Sequence, residues 1–186
     1  MRRSLIVLLA LTGAAHAEGD RALSLDLGYG TFSVPGVASG NMQPPSISPD
    51  WGVDLGATYE HSVSTDIGFR FELAGSLFDG GAVAAGTAKK KQPSNLSYAG
   101  LGAAGIVFRF DVLKLVPYAF GGVGGVVSSG GPINNGTDFV VVVGGGVDWL
   151  SSRTRSYGIE GRLASFGGDI TVFTLNLRGS LRWGYF

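Results

Sequence analysis

The stretch Trp51-Gly52-Val53-Asp54-Leu55-Gly56-Ala57-Thr58-Tyr59-Glu60 decides the fold. Apolar residues stand at 51, 53, 55, 57 and 59. Glycine, threonine and carboxylates stand between them. A period of two is that of a β-strand with two unlike faces. The same alternation recurs along the chain. Leu23, Leu25, Leu27 and Tyr29 interleave with Ser24, Asp26, Gly28 and Gly30. Ile67, Phe69, Phe71 and Leu73 interleave with Gly68, Arg70, Glu72 and Ala74. Tyr98 to Phe110, Tyr118 to Val127, Val143 to Trp149, Tyr157 to Leu163 and Phe173 to Tyr185 complete eight such segments. A strand of about ten residues, tilted ~40°, rises about 25 Å, the height of an outer-membrane apolar band. No segment sustains a helical period, so βαβ folds find no support.

The connections alternate in length. Residues 33–49, 79–95 and 128–138 are long. Residues 61–66, 111–116 and 150–155 are short, and 166–169 is a brief hairpin among the long connections. Long loops at one end and tight turns at the other are the habit of membrane barrels, whose short turns are periplasmic. A soluble sandwich or cup also alternates. Its outer face would have to be charged. Here the face opposite the large residues is glycine-rich, and charged residues are only 15% of the chain. Glycine is 32 of 186 residues and mean hydropathy is +0.26. The reading is an all-β, eight-stranded, antiparallel, up-and-down transmembrane β-barrel.

The N-terminus reads as an export signal. Arg2 and Arg3 precede the apolar run Leu5 to Leu11, and Ala15-His16-Ala17 forms a cleavage site. That run is too short to span a bilayer. The expected organisation is therefore a signal peptide over 1–17 and a barrel domain over 18–186. The mature chain would carry 12 basic against 14 acidic residues, which is unlike a nucleic-acid-binding balance. No cysteine is present and only His16 and His61 are histidines. Thiolate chemistry and multi-histidine metal sites are excluded, and no cofactor is expected.

Val116-Pro117-Tyr118-Ala119-Phe120-Gly121-Gly122-Val123-Gly124, followed by Gly144-Gly145-Gly146-Val147-Asp148 and Gly158-Ile159-Glu160-Gly161-Arg162, resembles the small outer-membrane β-barrel superfamily of the OmpA, OmpX and OmpW type. The resemblance extends over the mature chain as a pattern. It implies residence in the outer membrane of a two-membraned bacterium. It also implies contact with membrane lipid and lipopolysaccharide, and assembly by the outer-membrane insertion machinery. The C-terminal Leu181, Trp183, Tyr185 and Phe186 resemble the assembly signal read by that machinery, with Phe186 one residue out of phase. A monomer is expected.

Ten charged residues fall on the small-residue face: Asp26, Asp54, Arg70, Glu72, Arg109, Asp148, Glu160, Arg162, Arg178 and Arg182. An eight-stranded barrel is just wide enough for side chains to fill, and an unpaired buried charge is costly. An internal network is expected around Arg70, Glu72, Glu160, Arg162, Asp54 and Arg178. The motifs Arg70-x-Glu72 and Glu160-x-Arg162 mirror each other on two strands of the same direction. Static packing and a gate that re-pairs to pass ions are the two roles open to it. Inward glycines such as Gly28, Gly52, Gly144 and Gly146 allow either a narrow hydrated lumen or strand curvature.

Other signals are weaker. Gly100-x-Gly102-x-x-Gly105 lacks the following helix that a dinucleotide site needs. A lipid hydrolase would have only His61 as base, beside Ser62 and Ser64 in a short turn, so a non-enzymatic role is expected. Lys89, Lys90 and Lys91 form a basic run in an external loop. Trp51, Tyr29 and Tyr98 belong to one interfacial girdle. Tyr59, Phe108, Phe110, Tyr118, Trp149, Tyr157, Trp183 and Tyr185 belong to the other. The leading expectation is a structural or surface-interaction protein acting through its long loops. A narrow channel gated by Arg/Glu pairs is the runner-up.

Overall fold

The computed structural model describes residues 20–35, 46–49, 51–79, 96–110 and 114–184. The signal-peptide residues, Lys89 to Lys91, Tyr185 and Phe186 lie outside them. Eight long strands close into a barrel: β1 (Arg21–Pro35), β2 (Gly52–Ser62), β3 (Ile67–Asp79), β4 (Leu96–Arg109), β5 (Leu115–Ser129), β6 (Gly136–Leu150), β7 (Arg155–Phe166) and β8 (Ile170–Trp183). Each pairs antiparallel with the next, and β1 pairs with β8 from Arg21↔Trp183 to Ser33↔Thr171. Closure leaves no long sheet edge, so the backbone polar groups of the wall are satisfied within it. A two-residue strand, Ser46–Ile47, extends the sheet beyond β1 by pairing with Val34 and Pro35.

Burial alternates with the sequence. On β2 every residue of Gly52's parity is buried, while Val53 and Leu55 are exposed. The exposed wall is Leu, Val, Ile and Phe on all eight strands, and Leu73 and Leu177 are each 69% exposed. Along the middle of the strands the charges point inward, among them Asp54, Arg70, Glu72, Glu160, Arg162 and Arg178. This is an inside-out barrel, whose apolar surface suits hydrocarbon and not water.

The connection at 128–138 is shorter than the sequence reading expects. β5 continues to Ser129 and β6 starts at Gly136. Gly130, Gly131 and Gly136 all have positive φ, which lets the chain reverse in so few residues. A 3-10 turn, Gly131–Ile133, turns the Ile133 side chain into the barrel, where it is fully buried.

The inward glycines do not hold a hydrated lumen open among the described residues. At Gly52, Gly144 and Gly146 the space is occupied by aromatic rings from the neighbouring strand, and at Gly28 by the Leu175 carbonyl and Asn176. Tyr118 lies opposite Gly146 and Phe120 opposite Gly144 in the β5/β6 register, and Phe78 lies opposite Gly52 in β2/β3. A Cβ at 144 would run into the Phe120 ring, and one at 146 into the Tyr118 hydroxyl. Tyr118 is thus a correction to the girdle reading: it is buried inside, although the other described girdle aromatics point outward. Gly144→Val should lower unfolding free energy by about 1–3 kcal/mol through overpacking. Gly179→Ala, at a site with no atom within 4 Å of the new methyl, should be near neutral. Urea titrations of the refolded barrel in lipid vesicles would compare the two. Equal effects would sink this account of the glycines.

Candidate functional site: the charged lumen

The lumen divides into two zones. Toward the long-connection end it is apolar, with Phe32, Phe78, Val126, Ile133, Val142 and Phe166 in one buried cluster. Phe32 and Phe78 meet edge to face at 5.2 Å. Toward the short-turn end it is ionic. The division follows from strand composition: β5 to β8 place valine, alanine, phenylalanine and isoleucine inward at their long-connection ends. Aspartate, glutamate and arginine lie nearer the turns.

The mirrored motifs meet across the barrel. β3 and β7 are four strands apart in a ring of eight, so they face each other. Arg70 of β3 donates to Glu160 of β7 at 2.6 and 2.8 Å. Arg162 of β7 donates back to Glu72 of β3. The two pairs are reciprocal and span the lumen. Arg162 also donates to both oxygens of Asp54 on β2, at 2.8 and 2.9 Å. Asp54 accepts further from Ser76 and from Asn176. Arg178 of β8 donates to Glu60 at 2.7 Å, to Ser24 at 2.7 Å and to Glu160. Glu160 is 1% exposed and Arg162 2%.

Aromatic rings support the guanidinium groups. The Arg70 guanidinium carbon lies 3.7 Å from the centroid of the Phe120 ring, and that of Arg178 lies 5.1 Å from the Tyr118 ring. The two rings are stacked 6.4 Å apart. The Tyr118 hydroxyl donates to Glu160 at 2.8 Å. Glycines at 144 and 146 make room for these rings, so the wall and the network depend on each other.

All six network residues named from sequence lie in one hydrogen-bonded cluster. One member was missed there. Glu60 bridges Arg70, Arg178 and Arg109. Its parity on β2, shared with Asp54 and Thr58, is the signal that places it inside. Arg182 and Asp148 form a separate pair at 3.0 Å. Asp26 accepts only from Thr58, at 3.2 Å, among the described residues. Beside the barrel mouth, burial pushes the Asp20 carboxyl above its ordinary value, against the pull of Arg182 and Arg109.

The hydrolase constellation is not assembled among the described residues. Ser62 Oγ accepts from Arg109 at 2.6 Å, and Ser64 Oγ accepts from the Ile67 amide at 3.1 Å. Neither is bonded to His61. Of the assembly-signal residues, Leu181 and Trp183 point outward from β8.

A closed, eight-stranded, inside-out barrel with a charged interior has the architecture of a small membrane-spanning β-barrel. No family model matches the chain, and no curated protein sequence matches it. Solved structures do. Neisserial surface protein A is similar with a TM-score of 0.60 at 13% identity, over 88% of this chain and 97% of that one. Ail, the attachment invasion locus protein of Yersinia pestis, solved with the heparin analogue sucrose octasulfate, gives a TM-score of 0.57 at 15% identity, over 89% and 99%. The outer membrane protein AlkL gives 0.55 at 15% identity, over 92% and 93%. The chain has the fold of these small outer-membrane barrels.

Proposed function

We propose that the chain is a non-enzymatic integral protein of a bacterial outer membrane, with a closed lumen and a surface-interaction role carried by its long external connections. The observation that carries the closed lumen is the reciprocal pair, Arg70 to Glu160 and Arg162 to Glu72, bridging opposite walls beneath an apolar layer. An ion would have to break buried charge pairs and then cross a layer of phenylalanine, valine and isoleucine where only a few serine hydroxyls could solvate it. Two of the similar folds bear the names surface protein and attachment invasion locus, which supports a role at the cell surface. Export by residues 1–17, lipid and lipopolysaccharide around the wall, and delivery by the insertion machinery complete the reading. The protein acts as a monomer in it.

Single-channel recording of the refolded protein in a planar bilayer tests it. No stepwise current is expected, and none from Arg70→Ala either, because the apolar layer stays closed. Steps in the parent that change with Arg70→Ala would overturn the closed lumen and install the gated channel instead.

A further inference from the structure

The described basic side chains outside the lumen gather at one end of the barrel. Among the described residues, every Lys and Arg outside the lumen stands at the short-turn end: Arg21, Lys114, Arg153 and Arg155. The described rim at the opposite end holds Asp79, Asp138 and Asp169 and no basic residue. Three of the four cations lie on one arc. Arg155 opens β7 and stands level with Leu181 on β8. Arg21 opens β1 and stands level with Trp183. Arg153 lies in the turn leading into β7. All three are exposed, and they have no salt bridge among the described residues. Arg21 and Arg155 share the outward parity of Leu23 and Tyr157, so their Cβ atoms lie on the lipid side of the wall.

Arg21 and Arg155 therefore flank β8 on either side, with Trp183 and Leu181 between them. Strands are about 4.8 Å apart, which sets the two backbones roughly 10 Å from each other across the sheet. Trp183 is packed in an aromatic run, 6.5 Å from Tyr59, which is itself 6.4 Å from Phe71. Such a belt marks the level of the headgroups. Arginines set there extend along the wall into the phosphate layer.

We infer that Arg21, Arg153 and Arg155, grouped around Trp183, form a binding surface for the phosphate of anionic phospholipids in the periplasmic leaflet. The inference rests on the membrane orientation given above. Planar, two-pronged guanidinium donors match phosphate oxygens, and the described carboxylate next to this arc, Asp20, is half-buried and drawn to Arg182 and Arg109 at the barrel mouth. Lipopolysaccharide occupies the far leaflet and does not reach this end.

The test uses the full mature chain carrying Trp51→Phe and Trp149→Phe, so that Trp183 alone reports. It is refolded into vesicles in which either phosphatidylglycerol or phosphatidylcholine carries brominated acyl chains, and quenching is compared. Phosphatidylglycerol should associate beside Trp183 about fivefold more strongly or better, the effect of one or more basic residues at a membrane surface. Near 1 M salt the preference should collapse. Arg21→Gln with Arg153→Gln and Arg155→Gln should abolish it, while the three lysine replacements retain most of it. Equal quenching by both lipids, or a preference indifferent to salt, overturns the inference. The salt arm needs no charge substitution, so misfolding of a variant does not rescue the inference. Membrane insertion is read separately, from protection of the strands against protease, so a failure of the barrel reading is distinguishable.

Discussion

Arg70→Ala is expected to lower the unfolding free energy of the barrel in lipid vesicles by about 3–5 kcal/mol. Arg70 is 2% exposed and contacts Glu160, Glu60 and Glu72. Truncating it leaves three carboxylates around a space without their shared cation. The penalty is the burial of unmatched negative charge, which exceeds the net worth of the pair itself. Loss of the stacking on Phe120 adds to it. Arg178 continues to serve Glu60 and Glu160, and Arg162 continues to serve Glu72, so the barrel should still form. Urea titration with tryptophan fluorescence measures the change. A loss under about 1 kcal/mol would mean that the lumen is wet enough to solvate the carboxylates, and the closed-lumen reading would fall with it.

Leu73→Arg should cost about 2–4 kcal/mol by the same titration, the penalty for a guanidinium at the bilayer midplane. Leu73 is the central residue of β3, points outward, and lies opposite Gly102 of β4. No neighbour there offers a carboxylate. Leu115→Arg is the control. Leu115 also points outward, but it opens β5 at the short-turn end, where the cost should fall to about 0–1 kcal/mol. A wall facing water would tolerate both changes equally. Equal costs at the two sites would therefore contradict a membrane-facing wall, whatever the shape of the barrel.

The strands and their faces were legible because a period of two is a local property. Each of Leu23 to Tyr29 and Ile67 to Leu73 declares its face by parity, independent of where the strand ends up. Turn length was less legible. The 128–138 segment looks like a loop by its glycine and asparagine content, yet both of its ends, Ser128 to Ser129 and Gly136 to Asp138, are strand. The ladder continues as long as a partner strand supplies hydrogen bonds, and composition records only the preference of an isolated segment. The charge network was partly legible. Parity placed Arg70, Glu72, Glu160 and Arg162 inside, and packing required them to pair. The mirrored order of the two motifs hinted at the partners. Glu60 has the same parity, but its three arginine partners come from three other strands and are set only by closure of the ring.

The sequence by itself determined that this chain makes long two-faced strands, that its apolar face is the larger and most of its strand charges share the other, and that neither cysteine chemistry nor a multi-histidine metal site supports it. Those are properties of residue type and parity. Only the tertiary structure decided which charges touch. β3 faces β7 because eight strands close into one ring, and that ring brings residues 90 positions apart within hydrogen-bond reach. It likewise decided that Tyr118 enters the lumen over Gly146, and that Arg21 and Arg155, at distant points of the chain, share one arc with Trp183. Pairing across a closed sheet depends on register and on strand number. Neither is written in any single segment.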